Sequence, residues 1–108
     1  MNEVMNNLKN LCHEQNINVI DTENLTKYIK YITYFLPENS PTRQEAFTHE
    51  GSSYYVLSFP VVDLFENPWD ENNIKLSAAL KIASSRLNMT VRYQNQGSFS
   101  GLTLRFKL

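Results

Sequence analysis

No acidic residue follows Glu71, whereas six basic ones do: Lys75, Lys81, Arg86, Arg92, Arg105 and Lys107. Up to Glu71 the balance reverses, with four basic and eleven acidic residues. The formal net charge of −1 is therefore the sum of an acidic pole and a basic pole that nearly cancel. Separated poles create long-range fields that steer encounters with charged partners. They bear on partners and not on fold.

Cysteine is nearly absent too. Cys12 stands alone, which excludes a disulfide within the chain and suits a reducing compartment. No apolar run approaches the roughly 18–20 residues of a membrane span. The stretch MNEVMNNLKN lacks the basic-then-apolar order of a secretory signal. A cytoplasmic protein without membrane contact is expected. With 3 glycines in all, no glycine-rich phosphate loop can be drawn. A hydrophobic fraction of 42% and an aromatic fraction of 12% still suffice for a core, unlike a disordered chain. The 108 residues fit one domain. A domain this small is stabilised by only about 5–10 kcal/mol, so a homodimer would be a natural supplement.

Periodicity divides the chain. Residues 2–15 read as a helix, with Val4, Met5, Leu8, Leu11 and Cys12 on one stripe and Asn16 as its stop. Ile17, Val19 and Ile20 then make a short extended connector. A second helix is expected from Thr22 to Leu36, capped by Asp21 or Thr22 and ended by Pro37. Its core stripe is Leu25, Ile29, Ile32 and Leu36, and Tyr28, Tyr31 and Phe35 form a second stripe beside it. Residues 37–52, PENSPTRQEAFTHEGS, are polar and read as a loop. Residues 53–60 read as a strand rich in aromatic and β-branched side chains.

Asn67-Pro68-Trp69-Asp70 is a helix-start signature, with asparagine as the expected cap. A third helix is expected to begin between Pro68 and Ile74 and run to Leu87. Leu76, Leu80, Ala83 and Leu87 are its core positions, and Ala78 and Ala79 permit close packing. Residues 89–94 and 102–108 alternate apolar and polar positions, which is a hairpin with one wet face. Asn95–Gly101 is the expected connection and carries Phe99. The fold class is thus α+β, with three helices on one face of a small three-stranded antiparallel sheet. The parts are a helical 1–36, a polar loop 37–52 and a strand–helix–hairpin 53–108.

Alternation puts Thr90, Arg92 and Gln94 on the same side of the hairpin as Thr103, Arg105 and Lys107. Strand cations with an aromatic such as Phe99 nearby suit phosphate contact and base stacking. The plainer alternative is a solvated sheet face whose charges prevent edge pairing. Lys75 and Arg86 lie three helical turns apart and align, and Lys81 is on an adjacent stripe, so the third helix adds to the basic field.

Two other surfaces suit a protein partner. One is the Tyr28, Tyr31 and Phe35 stripe, since tyrosine is enriched at interfaces. The other is the acidic segment with Asp63, Glu66, Trp69 and Asp70, for which capping and local packing are the commoner reading. That segment has neither the spacing nor the central glycine of a calcium loop.

Catalysis finds little support. Cys12 lies on an apolar stripe and His13 points away from it; His49 sits beside Glu50 in polar sequence. Two histidines and one cysteine make no zinc pattern. No cofactor, metal or enzymatic activity is expected.

The segment FPVVDLF…KLSAALKIASSRLNMTVRYQ…GLTLRFKL resembles small bacteriophage accessory proteins, over roughly residues 59–108. Ser77-Ala78-Ala79, Ala83, Arg86-Leu87-Asn88, Val91-Arg92 and Leu104-Arg105-Phe106 carry the likeness, with Asn88 where glycine is more usual. The resemblance implies a phage or mobile-element origin, hence a host cytoplasm, and supplies no active site. The expected function is a non-enzymatic accessory protein that binds nucleic acid weakly through its basic C-terminal face. The alternative is a protein-binding inhibitor or regulator of a host factor.

Overall fold

The structure is a computed structural model that describes residues 2–17, 22–36, 41–60, 67–96 and 99–108, without the side chains of 2–7, 22, 94–96, 99 and 100. Its elements run α1 (Asn2–Glu14), α2 (Thr22–Thr33), β1 (Arg43–His49), β2 (Ser52–Pro60), α3 (Glu71–Arg86), β3 (Met89–Gln96) and β4 (Phe99–Lys107). The α+β class holds. The sheet has four antiparallel strands in the order β1-β2-β4-β3, one more than the sequence suggests.

The additional strand is β1, which lies inside the stretch expected to be loop. It is an edge strand, and only Ala46 of its seven residues is buried, so its period-two signal is almost silent. Glu50 and Gly51 join it to β2, and both have positive φ, of 51° and 80°. Two such residues between antiparallel strands match the twist of a tight hairpin. Glycine supplies that backbone at little cost; glutamate adopts it rarely.

The hairpin β3–β4 has the expected register: Met89 faces Phe106, Val91 faces Leu104 and Tyr93 faces Leu102. The strands extend further into the connection than the sequence suggests, so Phe99 belongs to β4 opposite Gln96. β4 also pairs with β2, placing Tyr55 beside Phe106, Leu57 beside Leu104 and Phe59 beside Leu102. These six side chains are at most 1% exposed and form the floor of the core.

All three helices cover that floor. Leu8 and Cys12 of α1, Leu25, Ile29 and Ile32 of α2, and Leu76, Ala79, Leu80 and Ala83 of α3 are buried against it. α1 lies over β1, α3 over β3, and α2 against α3. Ala78 is exposed, so only Ala79 and Ala83 serve the close approach. Val91 is 37% exposed and Tyr93 is only half-buried, although both are expected inside, because they sit on an edge strand.

The helix ends follow local chemistry. Asn16 adopts φ 56°, and the amides of Asn16 and Ile17 donate to the carbonyls of His13 and Cys12, a Schellman closure of α1. α2 ends at Thr33, three residues before the expected Leu36. The amides of Phe35 and Leu36 donate to carbonyls three residues back, the tighter turn common at helix ends. Leu36 precedes proline, which disfavours helical backbone there.

At α3 the cap is Asp70, not Asn67. The Asp70 carboxylate accepts from the amides of Asn72 and Asn73, while the Asn67 carbonyl accepts from Asn73 Nδ2 at 2.8 Å. Burial pushes the Tyr55 phenol well above its ordinary range, so it stays protonated and donates to Gln44 Oε1 at 3.1 Å. Burial likewise raises the Cys12 thiol, which suits a core side chain and not a nucleophile.

Candidate nucleic-acid interface

With the helices on one side, the other face of the sheet is left open among the described residues. Period two decides its membership. From edge to edge the rows read Arg43–Ser58–Thr103–Arg92, then Glu45–Val56–Arg105–Thr90, then Phe47–Tyr54–Lys107. The expected trio Arg92, Arg105 and Lys107 is thus brought together on adjacent strands, and all three are exposed. None of them forms an ion pair among the described residues.

Glu45 is the one carboxylate on those rows, and it is engaged. Arg43 donates from Nε at 3.0 Å and from Nη2 at 2.6 Å to its two oxygens, a bidentate pair. The carboxylate raises the affinity of the Arg43 guanidinium for its proton. The pair blunts the β1 edge and leaves the net charge of the face to the other three cations.

The sequence reading missed two members of this face. Phe47 and Tyr54 lie opposite each other across β1 and β2, half-buried, with ring centroids 5.5 Å apart and planes tilted by 33°. The Arg105 guanidinium lies 4.9 Å from the centre of the Tyr54 ring. At such a distance the ring's negative face attracts the cation. Val56 gives this region an apolar floor, buried between Glu45 and Arg105. Below the rings' row, the Ser58 and Thr103 hydroxyls share a hydrogen bond of 3.1 Å. A signal for Phe47 was present: it lies two residues from Glu45 and four from Arg43, in strict alternation, but reading 37–52 as loop concealed it.

The α3 cations do not join this face, because α3 lies on the opposite side of the sheet. Lys75 pairs with Glu71 at 3.0 Å along the helix. Lys81 borders a shallow depression with Ser84, Ser85 and Val91, and Arg86 ends the helix, exposed. Phe99 is on β4, though its side chain is outside the described set.

The expected partner surface is also redrawn. Phe35 and Tyr28 are half-buried and pack against the core. Tyr31 is 41% exposed, and Tyr34, which the stripe omitted, is 82% exposed; each ring meets Phe35 edge-on, at 5.6 and 5.2 Å. Tyr31, Tyr34, Lys27, Lys30 and Glu23 line a shallow groove of about 840 Å³ that Ile82 of α3 closes.

Asp63 and Glu66 lie outside the described residues. Trp69 is 73% exposed, and Asp70 is committed to capping α3. Among the described residues no three His, Cys, Asp or Glu side chains converge as a metal site would need, and no helix is long and apolar enough to cross a membrane. No family model matches the chain, and neither does any curated protein or solved structure.

Proposed function

We propose that the chain is a non-enzymatic accessory protein of phage type that binds nucleic acid weakly through the open face of its sheet, in a host cytoplasm. The observation that carries this reading is the gathering of Arg92, Arg105 and Lys107 on one exposed face where the described carboxylate is already neutralised by Arg43. Lysine and arginine that neutralise phosphates release condensed counterions, so affinity falls with salt.

Three contacts predict a slope of about −2 in log K against log salt for a single strand, and about −3 for a duplex. Affinity near physiological salt is expected to be micromolar or poorer. A salt titration by fluorescence anisotropy measures the slope. Undetectable binding of both strand forms at about 50 mM salt removes the reading.

A second reading, a protein-binding regulator, is favoured by the exposed Tyr31, Tyr34 and Ile82 around the α2–α3 groove. Tyrosine at a solvent-facing groove is a common interface anchor. Tyr34→Glu is expected to keep the fold and to lose any dimer mass seen by light scattering. Phe35→Glu is expected to unfold the protein, since that ring packs on the core. A folded Tyr34→Glu of unchanged mass counts against self-association. Capture from host lysate with and without nuclease separates the two readings.

A further inference from the structure

We infer that the ligand of the open sheet face is single-stranded nucleic acid, whose bases stack on the Phe47–Tyr54 pair beside Arg105. The inference rests on the nucleic-acid reading above and narrows it to one strand form.

Two tyrosines adjacent in sequence show the contrast. Tyr55 points to the helices, is fully buried and spends its hydroxyl on Gln44. Tyr54 points the other way, remains partly exposed and meets only Phe47 and the Arg105 guanidinium among the ring contacts of the described residues. No helix lies over Phe47 or Tyr54 in the described structure. The planes are tilted by 33°, nearer to parallel than to edge-on, and the two rings stand as cross-strand neighbours on the open face, an aromatic ledge two residues wide.

A ledge of this kind recognises π-faces. Every unpaired base has one to offer, which makes stacking tolerant of sequence. Bases within a duplex bury those faces against their neighbours. The sheet cannot follow them there: four strands at about 4.8 Å spacing span roughly 14 Å, while the major groove is about 12 Å wide and admits a helix or two strands. A duplex can reach the cations alone; a single strand can reach the cations and the rings.

Charge and ring are also interleaved at the scale a single strand requires. Lys107 is the cross-strand neighbour of Tyr54, and Arg105 is its diagonal neighbour. A base on the ledge therefore has a cation on either β4 position to receive its phosphates. Because Arg105 already rests against the Tyr54 ring, little side-chain freedom remains to be lost on binding.

The test is fluorescence anisotropy at low salt with labelled oligo-dT and oligo-U of about 12 nucleotides, within the site sizes of single-strand binders, and a duplex of equal length. Single strands are expected to bind at least about tenfold more tightly than the duplex. Tyr54→Leu and Phe47→Leu are each expected to weaken single-strand binding about tenfold and to leave duplex binding unchanged, while Tyr54→Phe retains affinity. Circular dichroism checks folding; if Tyr54→Leu fails it, Phe47→Leu on the edge strand carries the test.

Preferential binding of either single strand over the duplex upholds the inference, and the stronger of the two identifies the strand chemistry. Equal affinity for single strand and duplex, or unchanged single-strand affinity in a folded Phe47→Leu, overturns it and leaves the broader reading standing. Absence of binding to every probe overturns both.

Discussion

Leu104→Ala is expected to destabilise the protein by about 2–5 kcal/mol, a large part of the stability of a domain this size. Leu104 is fully buried on β4, an inner strand, between Leu57 of β2 and Val91 of β3. Ladders on both sides hold its backbone, so the surroundings cannot close over the lost methyl groups. The cavity adds to the transfer cost. A domain of about 100 residues loses roughly 4–8 °C of melting temperature per kcal/mol, so a fall of about 10 °C or more is expected in a thermal melt. Val91→Ala, on the edge strand and 37% exposed, is the comparison and should cost clearly less. If the two variants melt together, the inward register of β4 is wrong, because a slip of one residue exchanges the faces.

Reversal of both Arg92 and Arg105 to glutamate is expected to reduce nucleic-acid affinity at least about a hundredfold. Each lost charge-assisted contact is worth about 1.5–3 kcal/mol, or tenfold and more. The new carboxylates also repel phosphate. Lys107 alone cannot offset them. The fold should survive, since both side chains are exposed and Arg92 faces only Thr103 across the ladder. Loss of the Arg105–Tyr54 contact is expected to cost about 0.5–1 kcal/mol. Unchanged affinity in the folded double variant would move the binding site off the sheet. The α3 cations would then be the place to look.

Elements with a strong period were legible in the sequence. The hairpin β3–β4 alternates so strictly that register and face follow from it, and Arg92, Arg105 and Lys107 point where alternation requires. The Leu76, Leu80 and Ala83 stripe likewise identifies the core side of α3. β1 was illegible because an edge strand under a single helix needs little apolar surface. Ala46 is its one buried residue, and the polar remainder reads as loop.

The α3 cap was ambiguous for a different reason. Asn67 and Asp70 are both good capping residues, and only geometry tells which one reaches the free amides. The basic field was misjudged through addition along the chain. Cations consecutive in sequence are divided by the sheet, with Lys75, Lys81 and Arg86 on its helical side. Phe47 and Tyr54 come together only through strand pairing, which local sequence does not encode.

The strand order β1-β2-β4-β3 has a consequence for how the molecule assembles. Each hairpin is local and can close within microseconds. The seam between β2 and β4 is not local: its Ser58–Thr103 bond spans 45 residues and must wait for the chain to double back across α3. Loop closure over such a span is the slow kind of contact to make. The rings ride on one hairpin and the three cations on the other. A half-assembled chain therefore holds the rings and the cations on separate hairpins, and the proposed binding surface would exist only once the final seam zips.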